Sequence, residues 1–189
     1  MADRALSALA RWGDQLRAIR SRRRTFRRRA AAVASLVAAL GATLVMPPRP
    51  IFVWNVSASA PVGLYAVGGR GDLAVGDMVI AQVPARWRLF AARRHYIPVN
   101  VPLVKRVAAL PGMRVCAWES WLWIEERRVA ERRLRDGGGR AMPRWSGCVT
   151  LRAGTLLLLM DDPGSFDGRY FGVTDEADVV GRAVMLWTH

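Results

Sequence analysis

Apolar and polar positions interchange over short stretches through most of the chain, and one long run departs from that pattern. Residues 30–46, AAAVASLVAALGATLVM, hold seventeen positions without a charge, directly behind an arginine-rich leader and ahead of Pro47-Pro48-Arg49-Pro50. The prolines stop a helix. At ~1.5 Å per residue the run spans roughly 25 Å, the short end of a membrane-crossing helix. From residue 51 onward the apolar runs are brief: 51–56, 78–83, 101–109, 114–118, 121–129, 155–160 and 179–187. They are rich in Val, Ile, Leu and Trp and are separated by turn signals such as Gly76-Asp77 and Pro111-Gly112, with Gly137-Gly138-Gly139 expected as a flexible loop. The pattern predicts a mainly β, antiparallel domain, with 114–118 and 121–129 as a hairpin. No internal repeat and no long soluble amphipathic helix is expected.

Charge sharpens the division at residue 30. The 189 residues carry 29 Lys+Arg against 15 Asp+Glu, a net +14, yet 52% are hydrophobic, which excludes a disordered polycation. Residues 1–29 contribute ten Arg and two Asp, +8 of that excess. Arginines flanking the uncharged run hold that end in the cytoplasm. The expected organisation is a basic cytoplasmic N-terminus (1–29), a transmembrane anchor (30–46) and a periplasmic domain (51–189) on the inner membrane. A cleaved secretory signal is the other reading; the long basic region, and the lack of a small-x-small site before the prolines, speak against it.

Candidate chemistry is narrow. Two cysteines exclude a disulfide-dense scaffold and a four-cysteine zinc site. In an exported domain Cys116 and Cys148 are expected to pair; two buried free thiols are the alternative. The histidines, His95 and His189, are far apart, which disfavours a Ser–His–Asp triad or a multi-histidine metal centre. Among 29 basic residues the one lysine is Lys105. A desolvated lysine can shed its proton and act as a base, which arginine cannot.

Three islands look functional. Asn55-Val56-Ser57-Ala58-Ser59-Ala60-Pro61-Val62-Gly63-Leu64-Tyr65 sets two serines ahead of Pro and Gly. Leu103-Val104-Lys105-Arg106-Val107-Ala108-Ala109-Leu110-Pro111-Gly112 places the lysine in an apolar strand, and Met160 to Gly172 is a polar loop after a buried strand. Serine with lysine and no usable histidine suggests a Ser–Lys pair. A free lysine, with pKa near ~10.4, is neutral in only about one molecule in several thousand at pH 7, so burial must lower it by roughly three units.

In this order, behind a hydrophobic segment, the islands resemble the bacterial type I signal peptidase family, and within it the conjugative-transfer TraF-type branch that matures pilin precursors. The matching stretches are Asn55 to Tyr65, Lys105 to Gly112, Ser165 to Gly172 and Gly139 to Cys148. The resemblance implies a serine endopeptidase in which Ser59 is the nucleophile and Lys105 the general base. Ser57 joins the Ser59 N–H in the oxyanion hole, Ser165 orients the lysine, and Asp167 with Arg169 braces the loop. It implies an exported precursor such as a pilin as substrate, with release by water or by the product's own amine, and no metal or other cofactor. Residues 113–148 would form an accessory subdomain at the substrate entrance. Departures from the broad family are Ala60-Pro61 directly after the serine, Asp162 where Asn is usual, and Gly168 where Ser is common. Ser57 remains the alternative nucleophile.

Two other classes compete. An inactive structural component of a conjugation or secretion apparatus would not need Ser57, Ser59, Lys105 and Ser165 together. Nucleic-acid binding would use the positive charge, but most of that charge sits beside the hydrophobic run, where topology and anionic lipid account for it; nucleic acid is not an expected partner.

Overall fold

A computed structural model describes the backbone of residues 2–45 and 50–188 and, within its first helix, the side chains of residues 20, 22–29 and 30–43. It comprises two compact units, Met1–Arg49 and Pro50–His189.

The first unit is one helix, α1 (Ala2–Val45), 44 residues long. The basic leader is therefore helical and runs without a break into the apolar segment. Alanine, leucine and arginine are all strong helix formers, and no proline interrupts them. Among the described residues no helix is long and apolar enough to cross a membrane. The expected anchor differs from a separate span in that its described uncharged part is the last sixteen residues of α1, ~24 Å of helix against a hydrocarbon core of ~30 Å. Met46, Pro47, Pro48 and Arg49 lie outside the described residues.

The second unit is mainly antiparallel β. Its strands are β1 (Phe52–Asn55), β2 (Gly63–Val67), β3 (Met78–Ala81), β4 (Leu103–Ala109), β5 (Arg114–Trp118), β6 (Trp121–Ile124), β7 (Arg127–Glu131), β8 (Gly147–Thr150), β9 (Thr155–Leu159), β10 (Thr174–Asp175) and β11 (Val179–Thr188). Two short helices, α2 (Ala85–Arg93) and α3 (Gly168–Phe171), lie between strands. Seven strands form one sheet in the order β1-β2-β11-β3-β4-β9-β10, and four form another in the order β7-β6-β5-β8.

Strand β9 joins the cores. Its Leu156 and Leu158 pack with Val79, Ala81, Val107 and Val179, while Leu157 and Leu159 pack with Val115, Ala117, Leu122 and Ile124 of the smaller sheet. A strand buried on both faces reads as a continuous apolar run, which is how this segment stands out in the sequence. Cys116 lies directly opposite Cys148 across β5 and β8, and the two are joined in a disulfide.

Three local expectations are corrected. The run 121–129 is two strands, because Glu125 and Glu126 turn the chain with φ of 43° and 67°. Helix α2 and strand β2 were not expected. The first is too short for a clear helical period, and the second overlaps the Gly63-Leu64-Tyr65 end of the serine motif. The triple-glycine segment is an ordered turn, closed by an Arg135–Ala141 bridge and by Asp136, whose carboxylate accepts the N–H groups of Gly138 and Arg140.

Candidate active site

The serine loop follows β1 and is tied from inside. Asn55, buried at the end of that strand, donates through Nδ2 to the carbonyls of Ser57, Ala60 and Pro61 at 2.9, 3.1 and 3.0 Å, while its Oδ1 accepts the Ser57 N–H. Tyr65, 1% exposed in β2, donates its hydroxyl to the Pro61 carbonyl at 2.8 Å. Burial raises the pKa of that phenol, so it remains a donor. Both residues stand in the sequence motif without an obvious task; the fold gives them one, holding the loop between them. β1 and β2 then present Ser57 and Ser59 side by side, with Oγ atoms 2.9 Å apart. The Ser59 N–H lies 3.4 Å from Ser57 Oγ.

Lys105 reaches the serines from β4, where it pairs opposite Val79 of β3. Its side chain is 2% exposed, and Nζ donates to Ser59 Oγ at 3.1 Å and to Ser165 Oγ at 2.9 Å. Burial lowers its pKa to about 8; the Asp167 carboxylate opposes that shift, Arg169 adds to it and Asp162 opposes it. The amine is therefore neutral in about one molecule in ten at pH 7. Ser57 makes no contact of this kind with Nζ, and its hydroxyl lies instead beside the Ser59 oxygen and amide.

The loop behind the lysine is braced by a buried ion pair. Asp167 is 0% and Arg169 1% exposed. The carboxylate accepts Arg169 Nε at 2.8 Å and Nη2 at 3.2 Å, and also the backbone N–H groups of Arg169 and Met160. The guanidinium donates further to the carbonyls of Met160 and Glu131. With four bonds to the carboxylate and four from the guanidinium, β9, the 160–167 loop and the end of β7 are pinned together, and Ser165 is held at Nζ. Gly168 has no room for a side chain: a Cβ there would come within 2.8 Å of Leu157 and of the Leu158 carbonyl. Asp162 is partly exposed; its Oδ1 accepts the Gly164 N–H, and its backbone carbonyl accepts the Ser165 N–H. The acidic replacement thus keeps the turn while adding negative charge near Lys105.

Cys116, Cys148 and their disulfide belong to the smaller sheet and do not line this cleft. Among the described residues no group of three or more His, Cys, Asp or Glu side chains could hold a metal ion.

A serine hydroxyl in hydrogen-bond contact with a buried lysine of lowered pKa, on an antiparallel β frame, is an arrangement that can activate a serine without histidine. The sequence profile of the signal peptidase, peptidase S26 family matches residues 23–188, so the chain belongs to that family. It is 32% identical to a probable conjugal transfer protein TraF of Sinorhizobium fredii over 147 residues, covering 71% of this chain and 76% of that protein. A conjugal transfer protein TraF of Agrobacterium tumefaciens is 31% identical, covering 71% of this chain and 81% of its own length. A crystal structure of a signal peptidase I from Enterococcus faecalis aligns over 63% of this chain and all of that one, at 19% identity and a TM-score of 0.36.

Proposed function

We propose that the protein is a serine endopeptidase that cleaves an exported precursor of a conjugation system, using Ser59 as nucleophile and Lys105 as general base. The observation that carries this reading is the buried Lys105 amine, 3.1 Å from Ser59 Oγ and held to a pKa of about 8. The reaction starts when neutral Nζ takes the Ser59 proton and Oγ attacks the scissile carbonyl. The Ser59 N–H and the Ser57 hydroxyl turn toward the oxyanion, a donor set whose members are each worth roughly 3–4 kcal/mol in other hydrolases. The carbon–nitrogen bond then breaks as the Lys105 ammonium protonates the departing amine, leaving an acyl-enzyme. Water, deprotonated by the again-neutral lysine, releases the acid. If the precursor's own amine attacks instead, the product is a ring.

The outer edge of β1 bears no strand partner among the described residues and leads straight into the serine loop. An extended substrate added there would bring its scissile bond to Ser59. The TraF names of the relatives support a precursor from a conjugation system, a pilin above all. A cytoplasmic N-terminus and an inner-membrane anchor at residues 30–46 belong to the same proposal, supported by the uncharged run and by Val33, Leu36, Val37 and Leu40, each at least 60% exposed on α1.

The test is intact-mass spectrometry of the host's pilin precursor, co-expressed with the wild type or with Ser59→Ala. A shorter precursor with the wild type alone is the expected result, and a product one water lighter than the linear fragment reports cyclisation. Cleavage that survives Ser59→Ala, or a precursor left whole by both, overturns the assignment.

A further inference from the structure

The cleft at Ser59 has two chambers. One, of about 410 Å³, extends over Phe166, Tyr170 and Met142; the other, of about 120 Å³, extends over Val53, Pro98 and Val101. Ser59 and Lys105 face both, and so do Tyr96, Ile97 and Leu103. Of that shared wall Tyr96 is the largest member, and it is the one fixed by a dedicated set of contacts.

Those contacts begin in the backbone. Helix α2 ends at Arg93 and is capped by Arg94, and His95 follows in the left-handed region at φ 59°. The Tyr96 N–H then bonds back to the Ala91 carbonyl and the His95 N–H to the Ala92 carbonyl, the paired bonds of a Schellman ending, which aims the next side chain across the helix. The Tyr96 ring packs 5.1 Å from Phe166 and 6.3 Å from Phe90. Its hydroxyl donates to Asp136 Oδ2 at 2.5 Å. Asp136 is anchored in turn by the N–H groups of Gly138 and Arg140, by Arg140 Nε at 2.8 Å and by Arg94 at 3.6 Å. Arg94 and Arg140 also lace the two segments together, each donating to a backbone carbonyl of the other segment. The Tyr96 hydroxyl first, then the Arg140 N–H and guanidinium and the Gly138 N–H, hold the Asp136 carboxyl far below the ordinary range against the opposing effect of burial, so the anchor is charged at neutral pH.

We propose that Tyr96, clamped by Asp136, is a specificity-determining residue: its ring is the partition that keeps the smaller chamber small and so sets the size of side chain admitted beside the scissile bond. A strand sends successive side chains to opposite faces, so residues near the cut fall into different chambers. The larger one accepts a bulky apolar side chain against Phe166 and Met142, and the smaller one a small side chain. Asp136 acts through Tyr96, as a positioning residue.

This inference rests on the peptidase reading, and its test separates the two. Full-length protein in detergent micelles is given a series of synthetic peptides carrying Ala or Phe at each of the three positions before the cut, and kcat/KM is measured for every member. The wild type is expected to reject Phe by about 10-fold or more at one position and to tolerate it at another. Tyr96→Ala should lose that rejection by about 10-fold, while Tyr96→Phe, which keeps the ring but loses its bond to Asp136, and Asp136→Ala should each weaken it by less and to a similar extent. An unchanged Phe/Ala ratio in a folded Tyr96→Ala protein overturns the inference alone. If thermal melting shows that variant unfolded, Tyr96→Leu stands in with the same expected direction. A wild type that cuts no peptide overturns the peptidase reading, and this inference falls with it.

Discussion

Burying the Lys105 amine costs stability. A lysine at pKa about 8 in the folded chain, against 10.5 unfolded, costs on the order of 3 kcal/mol at neutral pH. The sign follows from the depressed value. Below pH 8 both states hold the proton and the full penalty applies; between 8 and 10.5 the unfolded chain holds more protons, so stability rises with pH. Lys105→Met should therefore abolish cleavage yet raise the unfolding free energy at pH 7 by about 1–3 kcal/mol in a urea titration, with the gain shrinking toward pH 10.5. The same amine fixes the pH profile: kcat/KM should climb tenfold per pH unit below about 8 and level off above it, as a group that works only when neutral requires. Asp167 and Arg169 carry the opposite balance. Removing one partner strands a buried charge, so Asp167→Ala should cost about 3–5 kcal/mol in the same titration. That these two residues brace the loop was expected from the resemblance, whereas the clamp of Asn55 and Tyr65 on the serine loop was not, because their partners are backbone carbonyls that carry no sequence signature.

At the scale of elements, backbone geometry decides what side-chain patterns conceal. The β6–β7 turn uses Glu125 and Glu126 where glycine or asparagine would be expected, so the alternation through 121–129 looked unbroken. Glu126→Gly should relieve the left-handed strain and raise stability by about 1 kcal/mol, read as a higher melting temperature. Gly63 shows the reverse case. A Cβ there would sit 2.0 Å from the Trp187 carbonyl oxygen, where β2 runs against β11. Gly63→Ala should lower the melting temperature and, because Gly63 closes the serine loop, depress cleavage as well.

For the whole molecule, the two compact units ask for different experiments. The disulfide closes a 32-residue separation within the smaller sheet, which in the chain-entropy account stabilises by about 3–4 kcal/mol. Reduction should lower the melting temperature while leaving peptidase activity at 25 °C in place, since neither cysteine lines the cleft. The α1 helix, with its exposed apolar positions beside seven described arginines, should keep the full-length chain in the membrane pellet after alkaline carbonate extraction; release into the supernatant would remove the anchor proposal.

The sequence by itself determined the mainly β class, the charge of the leader and the cysteine pair, and its contiguous motifs singled out Ser57, Ser59, Lys105 and Ser165 as candidates; the helix of the leader is seen in the structure alone. Apolar period, charge placement and contiguous motifs are local properties that a linear chain displays. Tertiary structure decided the rest. It alone brought residues 59, 105 and 165 within hydrogen-bond reach, removed water from the lysine, and set Tyr96 and Asp136 at the wall of the cleft. Those properties depend on which strands pair and what each buries, and pairing between residues forty to sixty positions apart leaves no trace in the order of either segment.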